Sequence, residues 1–447
     1  MTSPLGSLPS EIVRTGADVI EAHRRDEASV LDAGIPMAVV FPRTTGEVQQ
    51  VIRVAAQGAI PIVPRGAGSG LSGGANAIDG CIVLSLARMD RVIDIDTRNL
   101  MARVQPGVIT GNLDRRCRSL GLSYPPDPSS RDFCTIGGNV ATNAGGLCCV
   151  KYGVTGEYVL GLEVVLADGT AVRLGRRTRK GVAGYDLTRL FVGSEGTLGV
   201  VTEVTLRLRP APPPASTLVA EFPKLDAAGN AISRISTNIV PSLLELMDRT
   251  TIRAVETMKP LGLDEKAAAL LVIQSDAGDR GAELDQAEQA CTRSGAISIV
   301  RSSDPSEAEY LLEARRAAFF ALGRGGETML DDVAVPPAEI PALLTTIEQI
   351  AQRNEVTIGT FGHAGDGNMH PTIVFEGDTE RGRALAAFDE IVHAALGLGG
   401  TATGEHGTGI LKSRFLPDEM SAEALGLHQA LKDVLDPNGI MNPGKIL

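Results

Sequence analysis

Apolar positions in "TTGEVQQVIRVAAQG" recur at spacings of three and four. Val48, Val51, Ile52 and Ala55 share one face, and Thr44 and Glu47 stand three apart as a capping box, so the pattern predicts a helix. Around it, "IPIVPRG", "CIVLSLARM" and "MARVQPGV" are short apolar runs of strand length. "GLEVVLADGTAVRLG" predicts a hairpin turning at Asp168–Gly169, and "TLGVVTEVTLRL" a further strand. "RPAPPPAS", 209 to 216, interrupts everything: four prolines make it a stiff extended connection. Beyond it helices and strands alternate, with strands expected near 267–274, 356–363 and 370–375 and a helix over 306–322. In that helix Ser306 and Glu309 are spaced as a capping box. Its apolar stripe runs Ala308, Leu311, Leu312, Arg315, Phe319, Leu322, which puts an arginine on the buried face. No tandem repeat is present, and two domains of mixed α and β structure are the simplest account.

Composition narrows the class. The 447 residues carry a net charge of −12 and no Trp, which excludes a basic or base-stacking nucleic-acid surface. No apolar run approaches the roughly 20 residues of a membrane span. The opening "MTSPLGSLPSEIVRTG" has no signal-peptide pattern. Six scattered cysteines without a C-x-x-C ladder read as reduced and argue against a structural zinc or an iron–sulfur cluster. The expectation is a cytoplasmic chain, peripheral to the inner membrane if membrane-associated at all.

"PRGAGSGLSGGAN" places five glycines between Gly66 and Gly74. Gly68 to Gly73 is a literal G-x-G-x-x-G, but a Rossmann site needs a helix opening from the glycines, and here the strand "CIVLSL" follows instead. "DPSSRDFCTIGGNVATNAGG" and "FVGSEGTLGVVTE" are two further small-residue segments. Glycines admit close backbone approach and Ser, Thr and Asn supply directional bonds, so three such segments suit a long, polar, phosphate-containing ligand.

These segments, with "YGVTGEYVLGLEVVLADG", resemble the PCMH-type FAD-binding domain of the vanillyl-alcohol oxidase superfamily, and within it the glycolate oxidase and FAD-dependent D-lactate dehydrogenase group. The resemblance runs from about residue 35 to the C-terminus. It implies an α+β fold: an FAD-binding domain of two α+β subdomains over 1–210, an antiparallel-sheet-and-helix cap domain with a metal site over 211–434, and a segment 435–447 returning to the flavin. The first glycine run would hold the pyrophosphate, through Pro64, Arg65, Gly66, Ala67, Gly68, Ser69, Gly70, Leu71 and Ser72. The second would lie along the ribityl and isoalloxazine part, through Pro126, Asp127, Ser129, Thr135, Ile136, Gly137, Gly138 and Asn139. It continues with Ala141, Thr142, Asn143, Gly145 and Gly146, then Tyr152 and Gly153. Glu195, Gly196, Val200, Val201 and the C-terminal Asn442 complete the set. With no histidine between His23 and His363, and Cys134 one residue away from where some distant relatives attach flavin, the FAD is expected to be non-covalent.

In "GTFGHAGDGNMHPTIVF", a two-residue turn at Asp366–Gly367 would oppose His363 and His370 on one face, about 4.5–5.5 Å apart at Cβ. Such a pair suits a metal or merely a solvated hairpin. "GGTATGEHGTG" adds Glu405 and His406 between glycines. The resemblance implies that His363, His370 and Glu405 hold one divalent metal (Zn, Fe or Mn), that His406 is the base, and that Arg315 grips a substrate carboxylate. The reaction implied is oxidation of a small D-2-hydroxy acid, D-lactate or glycolate, to the 2-oxo acid with hydride passing to flavin N5. A quinone, a cytochrome or an iron–sulfur partner protein would then accept the electrons, from a homodimer or from one chain of a larger complex. Leu330 stands where D-2-hydroxyglutarate enzymes often carry a lysine, which disfavours that substrate. Other readings are a metallohydrolase on the same His/His/Glu set and a flavin-binding subunit without catalysis.

Overall fold

The computed structural model describes residues 4–28, 30–178 and 180–447. The chain forms two compact units. One comprises Met1–Gly145, Val154–Ala211 and Glu405–Leu447; the other comprises Gly146–Gly153 and Pro212–Gly404. These divisions differ from the contiguous ranges read from the sequence. The polypeptide joins the first unit again at Glu405, well before 435, because this stretch is tied there: Ile410 and Leu411 N–H donate to Ser72 O, and Lys432 Nζ donates to Thr197 O and Met441 O.

The first unit holds two main sheets. In one, β1 (Val13–Arg14), β2 (Ala38–Val40), β3 (Ile62–Arg65) and β4 (Ile82–Ser85) lie in the order β1-β2-β4-β3. The β2–β4 and β3–β4 pairs are parallel. The helix Thr45–Gly58 makes the β2-to-β3 crossover, and Val48, Val51, Ile52 and Ala55 are its buried residues. Thr44 caps it, accepting from Glu47 N at 3.2 Å. A crossover helix covers the sheet, so β2 and β4 are apolar without alternation. The second sheet is antiparallel. It contains β5 (Val92–Asp96), β6 (Met101–Val104), β8 (Val159–Val165), β9 (Ala171–Gly175) and β10 (Val200–Arg207), in the order β5-β6-β10-β8-β9. β10 alternates buried and half-buried positions along its length, the mark of a sheet with one face on the core. The β8–β9 hairpin turns through the three residues Ala167–Gly169, one more than the expected Asp168–Gly169, with Gly169 at φ +81° and Leu166 N donating to Thr170 O. The short pair β7 (Leu122–Ser123) and β11 (Arg209–Pro210) closes the unit's edge.

The second unit is built on one eight-stranded antiparallel sheet. Its strands are β12 (Ser216–Phe222), β13 (Leu243–Asp248), β14 (Ala269–Ser275), β15 (Ser298–Ser302), β16 (Glu327–Leu330), β17 (Val333–Ala334), β18 (Thr357–His363) and β19 (Asn368–Phe375). They run β15-β12-β14-β13-β18-β19-β16, with β17 also on β19. Helices Arg249–Met258 and Pro305–Leu322 pack together, and residues of both join the core around Met247, Leu270, Val272 and Phe361. Helix Pro305–Leu322 starts one residue before the expected capping box. Asp304 Oδ1 accepts from Ser306 N at 2.8 Å, and Pro305 occupies the first turn, where its missing N–H costs nothing. Arg315 is buried as the stripe required, and Arg316 is half-buried; the side chain of Ala308 lies outside the described residues.

Candidate active site

The β18–β19 hairpin does not turn where the sequence suggested. His363 pairs with Asn368, and His370 pairs with Phe361, so the loop has four residues, Ala364 to Gly367, rather than two. Asp366 N donates to His363 O, Gly367 takes φ +76°, and Gly365 N donates across to Leu244 O. This outward tie to β13 favours the wider loop. A shift of two residues preserves strand parity, so both imidazoles still share one face as diagonal neighbours. Their ring centroids are 5.1 Å apart and nearly perpendicular.

That face carries a carboxylate the sequence reading missed. On the neighbouring strand Glu245 lies directly opposite His363. Its Oε1 is 2.7 Å from His363 Nδ1, and its Oε2 accepts from Arg315 Nε at 2.6 Å. All three side chains are at most 4% exposed. With the carboxylate ionised, it can only accept, so this bond takes the His363 proton at Nδ1. Arg315 also lies over the Phe361 ring at 4.6 Å, and its buried Nη2 has no hydrogen-bond partner among the described residues. A buried guanidinium nitrogen without a partner marks a place for an anion. His370 has a matching neighbour: its Nδ1 is 3.6 Å from Asp332 Oδ1. Asp332 is itself held by Asn368 Nδ2 at 2.8 Å and by Thr403 Oγ1 at 3.0 Å. Gly404 N donates to Asp332 O, and one peptide bond beyond it comes Glu405, about 3.8 Å further at Cα.

In the first unit the three small-residue segments converge. A Cβ on Gly66 would lie 2.5 Å from Thr135 Oγ1, so the first run passes the second at backbone distance. Glu195 N donates to Ala141 O, which joins the second run to the third. Asn442 Nδ2 donates to Glu195 O at 2.7 Å and to Gly74 O at 2.9 Å, bringing in the C-terminus. Several expected cofactor residues turn their side chains elsewhere. Ile136 and Val200 are buried in apolar cores, and Asn139 Nδ2 donates to Thr110 Oγ1 at 2.8 Å. They can meet a ligand only through the backbone. Thr135 caps the short helix Ile136–Thr142, which the sequence pattern concealed among glycines. Gly146, Tyr152 and Gly153 belong to the second unit, where the Tyr152 hydroxyl donates to Asp276. Cys134 is buried, its thiol pushed up by burial, in contact with Thr110 Oγ1 at 3.4 Å.

Glu405 and His406 open the returning segment, His406 Nε2 standing 3.6 Å from Glu405 Oε1. Ser72 Oγ donates to His406 O at 3.1 Å. Glu195, expected at the cofactor, uses its carboxylate on this segment: Oε1 accepts from Thr408 N at 2.7 Å and Oε2 from Gly409 N at 3.0 Å. Burial pushes the Glu195 carboxyl up to about 7, against the pull of those two N–H groups. With the folded value above the ordinary 4.5, its contribution to stability is full below about pH 4.5 and fades as pH rises through about 7. The slope is at most about 1.4 kcal/mol per pH unit. Thermal melts of the wild type should therefore lose ground to Glu195→Gln between pH 5 and pH 8; parallel curves would refute the assignment.

Comparison with known proteins covers both units. The family of FAD linked oxidases, C-terminal domain, matches residues 211–446, and an FAD binding domain matches residues 36–175. The chain belongs to the FAD-linked oxidase family. It is 45% identical over 418 residues to a glycolate oxidase subunit GlcD of Bacillus subtilis, covering 92% of this chain and 89% of that one. A D-lactate dehydrogenase [cytochrome], mitochondrial, of Arabidopsis thaliana is 33% identical, covering 100% of this chain and 80% of that one. Among solved structures, p-cresol methylhydroxylase with substrate bound overlays with a TM-score of 0.81 at 19% identity, covering 99% of this chain and 95% of that one. The PCMH-type fold that the resemblance implied is the fold observed, and the protein is an FAD-linked oxidoreductase.

The residues present fit the FAD that the matched binding domain takes and the divalent metal that the sequence resemblance implied. The first unit offers a glycine run that admits no Cβ, Gly66 lying against Thr135 Oγ1 and Gly68 against the Arg65 guanidinium, so its backbone is held close to the second small-residue segment. The second offers two imidazoles, each with a carboxylate beside Nδ1, the arrangement that orients a histidine for metal through Nε2. Glu245, Asp332 and Asn368 were invisible as site residues in the sequence. The one available signal was a lone Glu in the fully buried strand "LLELMD". No helix among the described residues is long and apolar enough to cross a membrane.

Proposed function

We propose that the protein oxidises a small D-2-hydroxy acid, D-lactate or glycolate, to its 2-oxo acid, with FAD bound non-covalently. The observation that carries this reading is the buried Arg315, held at Nε by Glu245 while its Nη2 has no hydrogen-bond partner among the described residues. A short carboxylate fits that nitrogen, and the fixed guanidinium plane orients the acid beside His363 and His370. Here His363 and His370, with Glu405, would hold a divalent cation of the zinc, iron or manganese type. Such a cation supplies Lewis acidity toward an α-hydroxyl. FAD supplies the two-electron acceptor. His406 accepts the hydroxyl proton as the Cα hydride departs, so the substrate loses two electrons and two protons in all. Burial raises the Cys134 thiol and disfavours the thiolate that a covalent link to flavin would need, which supports the non-covalent state. GlcD relatives are named as subunits, which supports a partner subunit for this chain as well.

The test is anaerobic mixing of the FAD-loaded protein with a panel of hydroxy acids, before and after removal of metal by a chelator. D-lactate or glycolate should bleach the flavin, 2-hydroxyglutarate should do so poorly, and chelation should abolish bleaching until zinc, manganese or ferrous iron is restored. Full activity with no bound metal would sink the metal assignment.

A further inference from the structure

The segment carrying Glu405 and His406 begins a run of tight main-chain contacts for which the proposed chemistry gives no reason. Thr408 N and Gly409 N point at the carboxylate of Glu195, which is 7% exposed and sits at φ +48°, a conformation unfavourable for a non-glycine residue. The approach is close enough that a Cβ on Gly407 would stand 2.9 Å from Glu195 Oε1. One on Gly409 would stand 2.1 Å from Ser72 O. Both glycines have positive φ. On the other side Ser72 closes a second set of bonds, its carbonyl accepting from Ile410 N and Leu411 N and its hydroxyl donating to His406 O. Glu195 itself is fixed at both ends of its peptide, by Ala141 O and by Asn442 Nδ2.

We infer that Glu195 is a positioning residue: with Ser72 it clamps the main chain of residues 406–411 so that the His406 imidazole is presented in one orientation. This rests on the reading of His406 as base, and it changes the expectation for Glu195 from cofactor contact to holder of the base. The two carboxyl oxygens of Glu195 face two adjacent main-chain N–H groups, where an amide would present one oxygen and one N–H donor group. The strained φ at Glu195 is then understandable as a local cost sustained by the bonds it makes.

The test compares the FAD-loaded wild type with Glu195→Gln, which keeps one acceptor oxygen, and Glu195→Met, which keeps the volume and removes both. Hydrogen exchange at Thr408 and Gly409 should quicken by about ten-fold or more in Glu195→Met and less in Glu195→Gln. FAD content should be equal in all three. The rate of flavin reduction should fall in the same order, to about 10²-fold in Glu195→Met, with substrate KM nearly constant. Unchanged exchange in Glu195→Met overturns the clamp, whether or not any hydroxy acid reduces the wild-type flavin. Loss of FAD with unchanged exchange returns Glu195 to the cofactor. Faster exchange with an undiminished reduction rate overturns the link to His406. A wild type that no hydroxy acid reduces sinks the proposed reaction instead, and leaves the exchange comparison to decide the clamp.

Discussion

Replacing His406 by Ala should slow flavin reduction by about 10²–10⁴-fold, the usual range for loss of a general base. FAD content and absorbance should not change. The separation is expected because the segment is fastened by its backbone rather than by the imidazole: Ser72 donates to the His406 carbonyl, and Glu195 accepts from Thr408 and Gly409. The imidazole is therefore removable without releasing the loop. Rapid mixing of the variant with D-lactate checks this, and an unchanged rate would exclude His406 as the base.

The second large effect is expected at Glu245. Removing its charge with Glu245→Gln leaves Arg315 and His363 competing for one oxygen, with the guanidinium buried and uncompensated. Breaking a buried pair in this way typically costs about 3–5 kcal/mol. Losing the partner that orients a metal-binding histidine typically weakens metal affinity by about 10–100-fold. The two losses can be told apart. A double variant, Glu245→Leu with Arg315→Met, should recover much of the stability because apolar packing replaces the ion pair, yet should not recover metal. Urea denaturation and metal content of the three proteins measure both quantities. A Glu245→Gln protein with wild-type stability and full metal would contradict this geometry.

Much of the fold was legible because local and global signals agree. The helix Thr45–Gly58 has its cap, its apolar stripe and its crossover role in one stretch, so the four residues expected inside are the four buried. The glycine runs were legible for the opposite reason: a strand follows them where a Rossmann site needs a helix. The hairpin register was not legible. Asp366–Gly367 is a good two-residue turn in isolation, but Gly365 is drawn to Leu244, on a strand more than a hundred residues earlier. The face shared by His363 and His370 survived this because parity, not the exact pairing, decides it. Glu245 was unreadable for a related reason. Its partners, Arg315 and His363, lie 70 and 118 residues away, and only the register of β13 against β18 brings them together. Cofactor positions such as Ile136 and Val200 were readable as neighbours of the ligand segments but not as core side chains, since a motif fixes backbone path and not side-chain direction.

Whether this chain takes hydride from a small hydroxy acid of D configuration is decided most directly by one anaerobic titration. The FAD-loaded protein is mixed separately with D-lactate, with glycolate and with L-lactate, while flavin absorbance and the 2-oxo acid formed are both followed. Complete bleaching with one 2-oxo acid per flavin is expected for D-lactate, and none for L-lactate. Bleaching by L-lactate alone, or a D-lactate mixture that stays yellow while glycolate also fails, would contradict the proposed reaction.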